Sequence, residues 1–142
     1  MNDTRVLHTV AIYLKGDDLV PEELNARIGT EADESHRRGD NYISANGKEI
    51  TRRTGLWKLT RTEKSALDLP RLLKQLTSEL SAKNASLSDL PGVEEAFVDV
   101  FIAQTADAGG GGTSEFEIDS SSIAELGKLG LPIRFTVAII RD

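Results

Sequence analysis

The residues best suited to chemistry in this chain are its two histidines, His8 and His36, and the cations around its single tryptophan, Trp57. His36 stands in "EADESHRRGD", with Glu31, Asp33, Glu34 and Asp40 close along the chain. An imidazole among carboxylates can hold a metal or act as acid and base. A metal site normally adds a second histidine, a thiolate, or carboxylates pinned on regular structure. His8 falls on an apolar strand face and there is no cysteine, so alternating charges in a solvated loop is the preferred reading. An enzyme with a site near His36 remains an alternative. No catalytic residue, metal or cofactor is assigned.

The second candidate is "TRRTGLWKLT", residues 51–60, where Arg52, Arg53 and Lys58 surround Trp57. An indole flanked by cations suits an anionic partner or an exposed hot spot. Strand alternation argues otherwise, because Trp57 and Lys58 must point to opposite faces of a regular strand. Trp57 is therefore expected in the core, with Lys58 on the wet face. Arg53 shares the side of Trp57 only if the strand register runs unbroken through Gly55. The glycine run "GGGGTS", 109–114, lacks the lysine and the following helix of a phosphate-cradling loop, and reads as a hairpin linker. Paired acids at 22–23, 94–95 and 117–119 lack the apolar neighbours that would raise a carboxylate's pKa.

Composition narrows the function classes. The chain has 142 residues, 39% hydrophobic and 28% charged, with a net charge of −6. That is one globular domain, 1–142, long enough to bury a core. No run approaches the roughly 20 apolar residues of a membrane span, and "MNDTRVLHTV" lacks a signal-peptide pattern. A cytoplasmic protein without membrane contact is expected. The charge is uneven: residues 37–74 hold ten Lys/Arg against four Asp/Glu. An acidic whole is steered away from nucleic acid, while a local basic strip can still take an anion.

These residues must be positioned by a modest set of elements. "VLHTVAIYLK" reads as a central strand, with His8, Val10, Ile12 and Leu14 on one face. "LVPEELNARIG" is a short helix with Pro21 in its first turn and Gly29 at its end. Asn46-Gly47 marks a hairpin pairing 41–45 with 48–54, and Gly55 is a candidate bulge. "LDLPRLLKQLTSELSAKN" is a helix capped by Asp68, striped by Leu69, Leu72, Leu73, Leu76 and Leu80. Further strands are read at "VEEAFVDVFIAQT", "EFEID" and "LPIRFTVAII". The helix "SSSIAELGKLG" carries a capping box of Ser122 and Glu125. Strands joined by both turns and helices predict an α+β fold. The expected form is a two-layer sandwich with a mostly antiparallel mixed sheet and about three helices on one face.

Several landmarks recur together. A strand leads to Gly16, Asp17, Asp18 and Leu19, followed by Pro21, Glu22, Glu23, Leu24, Ile28 and Gly29. Gly39 lies in a polar loop, a strand ends in "WKL", a leucine-rich helix follows, and the chain closes on "LGKLGLPIRFTV". This pattern resembles the bacterial family called domain of unknown function 4279, over nearly the whole chain. Thr30 departs from it, since related sequences tend to run into a proline there. The resemblance implies a bacterial single α+β domain and supplies no activity.

Without a catalytic signature, an acidic domain of this size is expected to be a non-enzymatic module that binds another protein, as immunity-type inhibitors do. Glu115, Glu117 and Asp119, read on one strand face, are the expected contact. The alternative is anion or nucleic-acid binding through Arg52, Arg53 and Lys58, with Arg37 and Arg38.

Overall fold

Segments with alternating apolar residues become the sheet, and the segment with two apolar faces becomes its centre. The computed structural model describes residues 6–63, 69–81, 86–113 and 115–141. Strand β1 (Val6–Gly16) lies in the middle, antiparallel to β5 (Gly55–Glu63) on one side and β6 (Glu95–Thr105) on the other. β2 (Glu34–His36) adds outside β5, and β7 (Ile133–Ile140) runs parallel to β6, giving the order β2-β5-β1-β6-β7. β3 (Asn41–Ile43) and β4 (Glu49–Thr51) form a separate two-stranded hairpin. With helices α1 (Pro21–Ile28), α2 (Leu69–Ser81) and α3 (Ser120–Leu129), this is the expected α+β class with a mostly antiparallel mixed sheet.

Register puts one face of the sheet into the core. Val10, Ile12 and Leu14 lie level with Val100 and Val98 on β6 and with Leu59 and Trp57 on β5, and all are buried. The predicted leucine stripe of α2, from Leu69 to Leu80, joins that cluster, as do Leu24 and Ile28 of α1 and Leu126 and Leu129 of α3. Each buried leucine contributes roughly 1.5–3 kcal/mol. α2 packs on β1 and β5, α1 on β5, and α3 on α2. No described helix is long and apolar enough to cross a membrane.

Four local expectations are corrected. The polar stretch 31–40 is not all loop, because β2 pairs with β5 there. An edge strand of three residues, two of them exposed, needs no apolar period, so its sequence carries no alternation. Gly55 is not a bulge. It begins β5 level with Gly16, and a Cβ on it would lie 2.7 Å from Gly16 O, so the pair is glycine because two backbones meet. Residues 115–119 form no strand; the chain runs irregularly into α3, which makes the glycine run part of a β6–α3–β7 crossover, not a hairpin linker. Finally, α3 starts at Ser120 with Asp119 at the N-cap, so Ser122 lies inside the helix and is buried, not at the cap. Asp68, the expected cap of α2, lies outside the described residues.

A cationic cleft as candidate functional site

The sheet face turned away from the core is where the sequence's cations collect. Tyr13 of β1 stacks on its cross-strand neighbour Phe97, with ring centroids 4.9 Å apart. Cations cover this aromatic pair. Arg134 lies 3.8 Å over Phe97, Lys58 lies 4.9 Å over Tyr13, and Lys15 lies 5.6 Å from both rings. Alternation along β5 therefore does what it predicts: Trp57 is fully buried, and Lys58 faces the other way.

The β3–β4 hairpin stands beside this face. Its turn is the Asn46-Gly47 pair, where Gly47 takes φ of 77° and donates its N–H to Ser44 O at 2.9 Å. The backbone of Arg52 donates to Asp40 O at 2.7 Å and accepts from Gly39 at 2.9 Å. Its guanidinium lies 3.7 Å over the Tyr42 ring. Between hairpin and sheet lies a cleft of about 510 Å³, lined by Tyr13, Lys15, His36, Tyr42, Ile50 and Leu56, and by residues 51–54 with Arg52 and Arg53. That volume lies within the range of about 300–1,000 Å³ common for small-ligand sites.

Electrostatics set this cleft apart. Among the described residues Lys15, Arg52 and Arg53 line it, no carboxylate does, and none of the three makes an ion pair. Several cations elsewhere are matched: Arg27 with Glu23, Arg37 with Glu22, Arg38 with Asp17, and Arg61 with both Asp33 and Glu79. His36 reaches the cleft from β2, half-buried, with no hydrogen-bond partner for Nδ1. Burial first, and then the charge of Arg52, hold its pKa below the usual imidazole value, while Glu34 and Asp40 pull the other way.

Of the three cations singled out in sequence, Arg52 and Arg53 line the cleft. Lys58 is not part of the cleft lining and lies 3.8 Å from Glu34. The Tyr13 hydroxyl raises the Lys58 pKa against the opposing effect of burial, with Glu34 and Asp99 adding to the rise. The interruption between β4 and β5 at residues 52–54 separates Arg53 from the strand that carries Trp57.

The carboxylates near His36 in sequence serve elsewhere. Asp33 accepts the Thr60 N–H at 2.7 Å and Asp40 accepts the Arg37 N–H at 2.8 Å. Among the described residues no three histidine or carboxylate side chains converge as a metal site. Arg37 and Arg38 are both ion-paired outside the cleft.

The acidic trio is not arranged on a strand face. Glu115 and Glu117 are exposed on irregular chain. Asp119 takes the Ser121 hydroxyl at 2.6 Å and lies 3.9 Å from Lys74. The Ser121 hydroxyl is the main cause of a carboxyl held at about 2. Reasoning along the chain missed Lys15, Tyr13 and Tyr42, because only tertiary folding brings them to Arg52. The one local signal was the polar–aromatic wet face of β1.

Neither the curated proteins nor the solved structures include a match to this chain. A family model described as a domain of unknown function (DUF4279) matches residues 6–139, nearly the whole chain. The chain therefore belongs to the domain of unknown function 4279 family.

Proposed function

We propose that this protein is a non-enzymatic binding module that takes an anionic group, borne on a small planar or apolar body, in the cleft beside the β3–β4 hairpin. The observation that carries this reading is the trio Lys15, Arg52 and Arg53, unpaired among the described residues in a cleft without carboxylates, in a chain of net charge −6. Unmatched cations in a concave, partly apolar site are costly to keep unless an anion completes them. Arg52 is held over the Tyr42 ring, which leaves it less side-chain freedom to lose on binding. Tyr13, Ile50 and Leu56 supply apolar wall. A cleft of this size fits one phosphate- or carboxylate-bearing group better than a nucleic-acid duplex. The setting we propose is the bacterial cytoplasm.

Calorimetric titration with phenyl phosphate and with benzoate tests the reading. Each arginine is expected to contribute a charge-assisted hydrogen bond of about 1.5–3 kcal/mol, so Arg52→Ala or Arg53→Ala should weaken binding at least about tenfold. Arg27→Ala, at a cation already paired with Glu23, should leave affinity unchanged. Equal losses from all three variants, or no binding of either probe, would refute the cleft.

A second reading, docking of a partner protein, rests on Phe116, which is exposed between exposed Glu115 and Glu117. Charge reversal at these two acids should release such a partner, and a partner that stays bound would exclude them.

A further inference from the structure

β7 is an edge strand with little of the protection such strands normally carry. It spans Ile133–Ile140 at the end of the sheet, and among the described residues nothing pairs with its outer side. Exposed edges are usually blunted by proline, bulges, inward charges or a covering element. β7 has no proline, and its one charge, Arg134, is held by Glu95 at 2.7 Å. Phe135, Val137 and Ile139 point to the core side of the sheet and remain 49%, 56% and 49% exposed. Phe116 stacks on Phe135 with centroids 6.2 Å apart.

We propose that two copies of this chain pair through their β7 edges, antiparallel, about a two-fold axis at Thr136. The register follows from the direction of the backbone groups. Val98 N–H donates to Pro132 O at 2.9 Å and Ala106 N–H donates to Ile140 O at 2.8 Å. In a parallel ladder alternate residues turn to the same neighbour, so the even-numbered residues of β7 serve β6. The N–H and C=O of residues 133, 135, 137 and 139 therefore face outward.

An antiparallel partner of the same sequence matches all four only when Ile133 meets Ile139 and Phe135 meets Val137 of the second copy, each pair exchanging both backbone bonds. A shift of one residue would set outward groups against inward ones and reverse the faces. A shift of two would oppose Ile133 to Arg141. In the matched register Arg134 opposes Ala138, and Thr136 opposes itself, a favourable cross-strand pair.

The occupant is a second copy because the strand is complementary to itself under this operation. The contact is isologous and closes at two chains, because it takes up the outer edge of β7 in both copies. β7 itself contains no carboxylate, so the paired strands set no acid directly opposite another. The cationic cleft lies at the opposite, β2–β5 side of the sheet and stays open in the pair.

The full chain contains no cysteine, which allows a register-specific test. Light scattering should give twice the 15.4 kDa chain mass, and Val137→Lys should return it to one chain mass with unchanged circular dichroism. Thr136 forms a non-hydrogen-bonded pair across the axis, with Cα atoms about 4.5 Å apart, within reach of a disulfide. Thr136→Cys should therefore oxidise to a covalent dimer. Ala138→Cys, whose counterpart lies opposite Arg134, should not. A monomer at every concentration, a dimer indifferent to Val137→Lys, or equal cross-linking of the two cysteine variants would each overturn the pairing.

Discussion

Replacing Asn25 with alanine should loosen the joint between α1 and β5. The Asn25 Oδ1 accepts two bonds, from Trp57 Nε1 at 2.8 Å and from the Ala32 N–H at 3.1 Å. Trp57 is fully buried, so its indole N–H loses its partner without gaining water, at a cost of about 1–3 kcal/mol. Ala32 is half-buried and its N–H can recruit solvent, adding about 0.5–1 kcal/mol. Alanine in the helix returns up to about 0.7 kcal/mol of propensity. The net loss is about 1–3 kcal/mol, or roughly 2–12 °C in Tm for a domain of this size.

Chemical and thermal unfolding would measure it, and a double-variant cycle with Trp57→Phe isolates the indole bond. In the phenylalanine background, Asn25→Ala should cost only the Ala32 share. The same loss in both backgrounds would show that the indole bond does not hold this joint.

Two further outcomes follow from the same geometry. At Gly16 an added Cβ would lie 1.7 Å from Gly92 O, a backbone atom; Gly16→Ala should therefore cost at least about 2 kcal/mol in denaturant unfolding, and a near-neutral variant would contradict the close approach. His36 has a folded pKa below the ordinary imidazole value of 6.5, so the unfolded chain binds the extra proton, and stability from this group falls as pH drops below 6.5. An anion in the cleft opposes that shift, so benzoate, which stays ionised through this range, should raise the His36 titration midpoint in NMR and bind more tightly as pH falls; a midpoint unmoved by ligand would place His36 away from the anion.

What could be read from the sequence was what is decided locally. The leucine stripe of α2 repeats with the helix period, and β1 alternates against two neighbours, so both declare themselves within a few residues. The opposition of Trp57 and Lys58 needed only the strand period. The failures are equally physical. β2 is three polar residues held by pairing, with Asp33 bonding Thr60 N–H to start it. Phe116 and Ile118 alternate like a strand, but Asp119 is taken as a helix cap and the segment never pairs. The cleft was half legible: Arg52 and Arg53 stood out by charge, but Lys15 and Tyr13 reach them only through a fold that lays the hairpin beside β1.

The most direct test of the cationic cleft is a backbone-amide NMR titration of the full chain with phenyl phosphate. Saturating shifts centred on Tyr13, Lys15, His36, Tyr42, Arg52, Arg53 and Leu56 are expected. Shifts that centre on Phe116 and its flanking glutamates, or that scatter over the surface without saturating, would contradict it.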